Sequence, residues 1–205
     1  MPPPDHSRAL PPPAESQAPG LAPAAAATAL ERQLGGELER AFLARFGAGA
    51  PARLFFAPGR VNLMGAHLDY NGGPVMPTAI DRGTFIAARP AAEGRVRLQS
   101  LLDPARFEGQ LPAGRQERGE GWPSAASGRW FDYPLGVLRA ARAAGQLCDG
   151  IELLFGGNLP IGAGLSSSAS ICVGTALAVE ALAGPAPQGG GPTRWVEQAL
   201  EAERG

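Results

Sequence analysis

Residues 166–182, SSSASICVGTALAVEAL, set the tightest limit on the fold. The stretch is strongly apolar, rich in Ala and Val, and long enough for several helical turns. A helix that is apolar around most of its circumference must be buried on most sides, so other elements have to cover it. Residues 151–155 before it read as a short strand. The Gly/Pro turn of PIGAGLSSSAS, residues 160–170, joins the two.

A strand, a Gly-rich turn and a Ser-rich helix start make an anion site. The N–H groups of a first helical turn lack intrahelical partners, and the helix dipole adds partial positive charge there. Gly162 and Gly164 allow close backbone approach. Ser166, Ser167 and Ser168 offer hydroxyls to phosphate oxygens or to Mg²⁺, which takes few protein ligands and keeps much of its water. Pro160, Gly162, Ala163, Gly164, Leu165, Ser166, Ser167 and Ser168 are therefore the candidate nucleotide-binding residues, and Ser168 a candidate Mg²⁺ ligand.

Residues 59–77, GRVNLMGAHLDYNGGPVMP, hold an Arg, a His and an Asp in a Gly/Asn-rich loop. That is the composition of a polar small-molecule pocket, with Arg60 expected to be buried. Asp69 can accept two hydrogen bonds from vicinal sugar hydroxyls, and His67 can bond a ring hydroxyl. Arg60, the catalytic candidate, can stabilise negative charge on a sugar O1 or on a phosphoryl group in transfer. Taken singly, Asp69 is a turn-former and His67 a structural histidine; the constellation carries the reading.

Composition narrows the chemistry. The chain has 205 residues and a net charge of −1, with no electrostatic footprint for nucleic acid. All 18 basic residues are Arg, which excludes a P-loop lysine and Schiff-base chemistry within this stretch. Two Cys without metal spacing fit a reduced cytosol, and no apolar run approaches membrane-spanning length. With His6 in a low-complexity tail, His67 is the one functional candidate, which argues against a Ser–His–Asp hydrolase or a multi-His metal site.

Residues 1–23 are Pro/Ala-rich and read as a disordered arm, with residues 24–205 as the domain. Leu30, Leu34, Leu38, Phe42 and Phe46 recur at helical spacing and predict an amphipathic helix ending near Gly47. Strands are expected over 53–57, 75–76, 84–88, 96–99 and 106–111, and a surface loop over 112–128. A helix is expected over 133–144, a loop over 183–192, and a last helix from Thr193 to Arg204. Trp122, Trp130 and Trp195 read as packing residues ahead of stacking platforms.

PIGAGLSSSAS resembles the second motif of the GHMP kinases, the superfamily of galactokinase, homoserine kinase, mevalonate kinase and phosphomevalonate kinase. APGRVNLMGAHLDYNGGPVMP resembles the galactokinase signature within it. Arg60, Asn62, Leu63, Gly65, His67, Asp69, Tyr70, Asn71, Val75 and Pro77 match the pattern. The resemblance implies an α+β fold, the GHMP kinase N-terminal domain (ribosomal protein S5 domain 2-like), with the C-terminal ferredoxin-like domain missing. It also implies ATP and Mg²⁺, a small-molecule sugar, a monomer, and phosphorylation of a hexose at C1.

Ala66 departs from the pattern, because galactokinases carry Glu there against the C6 hydroxyl. Ala would leave room for a C6 carboxylate, as in the similar galacturonokinases, so galactose and galacturonate both stand as substrates. EQALEAERG resembles the helix before the family's catalytic Asp loop, with Glu203 matching a Glu near Mg²⁺. On that reading the domain stops before the Asp. A sugar- and ATP-sensing module, or a non-functional fragment with an apolar face exposed on the Ser166 helix, is then the alternative.

Overall fold

The computed structural model describes residues 29–65, 68, 72–111, 122, 127–146, 150–160 and 164–183. The expected N-terminal arm, the 183–192 loop beyond Ala183 and the Thr193 helix lie outside these residues, as does most of the 112–128 loop. In chain order the elements are α1 (Ala29–Phe46), β1 (Arg53–Met64), β2 (Met76–Pro90), β3 (Arg95–Ser100), β4 (Phe107–Gln110), α2 (Asp132–Ala143), β5 (Ile151–Gly157) and α3 (Ser167–Ala183).

The five strands form one mixed sheet in the order β1-β2-β5-β3-β4. Only the β3–β5 pair is parallel; the others are antiparallel. Helices α2 and α3 cover one face and α1 the other. The central strands are therefore covered on both sides, and both their alternating sets are apolar. On β2, Ile86 and Ala88 enter the α2/α3 core while Phe85 and Ala87 meet Leu38, Phe42 and Phe46 of α1. On β5, Leu153 and Phe155 face the helix pair and Leu154 faces α1.

Helix α3 is covered as its composition demands. It packs on β1 and β2 along one side and on α2 along another. A Cβ at Gly174 would sit 2.8 Å from Ile86 Cδ1 and 3.1 Å from Ala57 Cβ, so the helix lies close on the sheet. From Ser167 to Leu182 no residue of this helix is exposed, against the exposed apolar face that the non-functional-fragment alternative implied. Large apolar side chains are exposed at Leu63, Met64, Leu68, Val75 and Met76 around the β1–β2 tip, and elsewhere at Leu43, Leu54, Leu101 and Leu102.

Two expectations are corrected. The strand read over 53–57 runs on to Met64, because β1 is an edge strand. An edge accommodates Pro58 and Gly59 through register irregularities between Pro58 and Arg60 and between Asn62 and Met64. The pieces read over 75–76 and 84–88 are one strand, β2. The packing reading of Trp122 holds, within the stretch read as a surface loop: it is buried in the α2/α3 core, edge-on to Phe107, with its indole N–H donating to the Gln110 carbonyl (2.5 Å). The packing reading of Trp130 holds: it lies edge-on to Phe155 and donates to the Ala105 carbonyl (2.9 Å).

On the α1 face the sheet buries an ionic triad that sequence reasoning did not find. Glu152 of β5 is the register partner of Arg89 on β2 and of Arg97 on β3. One carboxylate oxygen accepts from Arg89 Nε (2.6 Å) and the other from Arg97 Nε (2.8 Å) and Nη2. Arg89 also donates to the carbonyls of Phe46 and Gly47 at 3.1 Å each. The triad therefore satisfies the end of α1, where carbonyls lack partners and the dipole is negative. The Arg89 guanidinium lies 5.1 Å from the Phe42 ring centroid and that of Arg97 lies 4.9 Å from Phe46.

Candidate functional site: a Gly/Ser turn against the β1 edge

The two motifs meet at the open edge of β1. The Arg60 backbone N–H donates to the Leu165 carbonyl (3.2 Å), so the turn entering α3 lies alongside the strand where a further strand would pair. Contact is close because residue 59 is Gly: a Cβ there would stand 2.6 Å from Leu159 Cδ2 and 2.9 Å from the Leu165 carbonyl oxygen. The Leu159 side chain could shift; the carbonyl belongs to the backbone of the turn. Gly59→Val is expected to cost about 1–3 kcal/mol by overpacking and to push the turn off the strand. Thermal melts with and without ADP check this. A variant with wild-type melting temperature and undiminished ADP stabilisation would contradict it.

Buried polar groups fix the start of α3. Ser170 Oγ donates to the Ala57 carbonyl (2.7 Å), lies 2.8 Å from the Thr84 hydroxyl, and accepts from the Thr84 N–H (3.3 Å). Ser170 and Thr84 are both buried. This network holds the helix to β1 just upstream of Arg60, and satisfied networks of this kind rigidify a core. Sequence reasoning treated the Ser run as ligand donors and missed Ser170 as an anchor. Its spacing of one helical turn from Ser166 was the available signal. Before the turn, Asn158 Oδ1 accepts the Gly83 N–H (3.0 Å) and ties β5's end to β2.

The described part of the turn is a Ser-lined helix start beside an open glycine. Gly164 has φ +69° and nothing within 4 Å of where a Cβ would be, so its outer side is open. Ser166 also has positive φ, +59°, uncommon for a residue with a Cβ and a store of local strain. Ser166, Ser167 and Ser168 are half-buried, and the Ser166 carbonyl accepts from the Ser170 N–H (2.9 Å), opening the helical ladder. The first turn of α3 carries no acidic residue, so no side chain opposes a bound anion through the dipole. Pro160 is exposed, and Gly162 and Ala163 lie outside the described residues.

Arg60, expected to be buried, is exposed. It is reachable by a ligand, and no described residue holds its guanidinium by a hydrogen bond or ion pair. Ala66, His67 and Asp69 lie outside the described residues, but the frame of their loop does not. Gly65 has φ +81°, and a Cβ there would meet the Pro74 carbonyl at 2.5 Å. The Leu68 N–H donates to the Gly65 carbonyl (2.8 Å) and the Gly73 N–H to the Leu68 carbonyl (2.9 Å). These bonds close a compact tip between β1 and β2.

Glu203 lies outside the described residues, among which no cluster of three or more His, Cys, Asp or Glu could hold a metal ion. No helix among them is long and apolar enough to cross a membrane. Cys172 is buried and forms no disulfide with a described residue.

Both motifs fall within family-model matches. Residues 40–90 match the family model described as the galactokinase galactose-binding signature, and residues 132–205 match the GHMP kinases N terminal domain. A galactokinase of Clostridium tetani is 39% identical over 135 residues, 66% of this chain and 32% of that protein. A galactokinase of Bacillus subtilis is 41% identical over 138 residues, 66% of this chain and 33% of that one. The chain thus spans about a third of the length of the curated relatives it matches.

Among solved structures, Lactococcus lactis galactokinase complexed with galactose superposes with a TM-score of 0.71 at 31% identity. The match covers 82% of this chain and 42% of that one. Mevalonate kinase of Methanococcus jannaschii, at 20% identity and a TM-score of 0.59, shares the fold.

Proposed function

We propose that this chain, which belongs to the galactokinase branch of the GHMP kinases, binds a hexose at the β1–β2 tip and ATP at the turn before α3. The reaction is transfer of the γ-phosphoryl group to the sugar O1, giving a sugar 1-phosphate and ADP. The observation that carries this reading is the Arg60 N–H bond to the Leu165 carbonyl, which sets the sugar motif and the phosphate motif side by side. Similarity to galactokinases through both motifs supports galactose as the sugar.

Within residues 24–205, the 160–168 turn would hold the triphosphate through backbone N–H groups and Ser hydroxyls. The cradle fits an anion: an open outer side at Gly164, Ser-lined, at a helix start free of acidic side chains. Mg²⁺, carried with the phosphates, would neutralise charge there, with Ser168 and Glu203 as its protein ligands. Asp69 and His67 would orient the sugar through its hydroxyls, and Arg60 would stabilise the negative charge developing between O1 and the γ-phosphorus. Positioning and electrostatics carry such a transfer, since the protein makes no covalent bond to either substrate. Cys172, in no disulfide with a described residue, fits a cytoplasmic setting.

Thermal melts and ADP release, measured side by side with galactose and galacturonate, test the reading. Galactose at ~100 times its Kd should stabilise the chain by ~2.7 kcal/mol. ADP release with galactose marks the kinase, and binding without release marks a sensor. Absence of stabilisation by galactose, galacturonate and ATP alike would sink both. Preference for galacturonate would assign Ala66 the selective role.

A further inference from the structure

Asn62 belongs to the signature, yet nothing in the proposed reaction uses it. Its carboxamide Oδ1 is buried and has no hydrogen-bond partner among the described residues. Such orphans are rare in folded proteins and call for an explanation. Its register partner, Pro77, has no N–H to offer.

The register also says what lies beside it. Arg60 pairs with Ala79, Val61 with Thr78 and Asn62 with Pro77, without irregularity between them. Side chains two apart on a regular strand share one face, spaced about 6.6 Å along it. Arg60 and Asn62 are therefore neighbours on the same face. One is an exposed guanidinium that no described residue holds, and the other is a buried acceptor lacking a donor. Sealed from solvent, the oxygen is not competed for by water. A hydrogen bond from a charged donor is about twice as strong as a neutral one.

We infer that Asn62 is a positioning residue for Arg60: its carboxamide oxygen is the acceptor onto which the guanidinium folds when sugar and nucleotide phosphate occupy the site. The role in ligand binding rests on the proposed sugar site; the reach between the two side chains does not. In the free protein Arg60 stays in solvent and the buried acceptor stays unmatched. Bound anionic phosphate draws the guanidinium in, and Asn62 fixes its plane.

Two cycles on the full chain test this. The first, without ligand, combines Asn62→Asp with Arg60→Ala and reads the melting temperature. A carboxylate at this depth is tolerated only beside a cation. Asn62→Asp should lower Tm by about 2 °C with Arg60 present and by ~6 °C or more in the Arg60→Ala background. Equal losses in both backgrounds would overturn the inference, whether or not sugar binds.

The second cycle reads galactose affinity in the presence of ADP. Asn62→Leu should leave the ligand-free Tm unchanged or raised, since it removes an unmatched acceptor. It should weaken galactose binding about tenfold in the wild-type background and not further once Arg60 is Ala. An equal loss in both backgrounds, or a fall in Tm with unchanged affinity, would make Asn62 a structural residue only. If Arg60→Ala abolishes binding outright, the first cycle decides. A wild-type chain that does not bind galactose would overturn the proposed function, while the first cycle still decides whether Asn62 reaches Arg60.

Discussion

Glu152→Ala is expected to destabilise the protein by ~3–5 kcal/mol, the range for removing one partner of a buried ion pair. The side chain is 5% exposed and sits between two guanidinium groups. Deleting it leaves Arg89, 7% exposed, as an uncompensated buried cation beside Arg97. The end of α1 also loses the orientation of the group that accepts no bonds of its own but caps the Phe46 and Gly47 carbonyls. Domains of this size are stable by roughly 5–15 kcal/mol, so a large fraction of the total is at stake.

Circular-dichroism melts should show Tm falling by ~10 °C. Arg97→Ala should fall less, because its side chain is 19% exposed and water can take over part of the carboxylate's solvation. Added salt should narrow these differences little, since buried pairs are weakly screened. A drop below about 3 °C for Glu152→Ala would mean that the triad contributes no more than a surface pair.

Arg60→Ala should reduce the proposed phosphoryl transfer to galactose by about 10²–10³-fold, the usual loss when one donor to developing charge is removed. The fold should not notice, because the side chain is exposed and no described residue bonds it. Arg60→Lys should recover part of the rate: the charge returns without the planar fork that meets two oxygens at once. Initial-rate measurements of ADP release, with melts on the same preparations, separate the two effects. A rate loss accompanied by an equal loss of stability would assign Arg60 to the scaffold.

These two residues mark the limits of sequence reading here. Arg60 stands out in the chain because its neighbours Gly59, Asn62 and Gly65 are unusual for a strand. Glu152, Arg89 and Arg97 do not, because isolated charges in apolar strands look like solvent-facing positions of a half-buried sheet. Their pairing depends on strand order: β5 lies between β2 and β3, although it follows both in the chain. No local pattern carries that crossover.

The α3 helix, its preceding turn and the amphipathic α1 were legible because periodicity and turn chemistry are local properties of the backbone. Strand lengths were not. An edge strand tolerates Pro58 and Gly59 through bulges, and only the edge position of β1 tells that pair from a turn. Composition alone required α3 to be covered, since a helix apolar on most sides cannot face water. Tertiary structure decided what covers it, and with that the placement of the Leu165 carbonyl against the Arg60 N–H. That contact joins segments about a hundred residues apart in sequence, held by the space that Gly59 leaves free and by the buried Ser170 hydroxyl. Long-range packing of this kind is set by which surfaces fit once the sheet has formed.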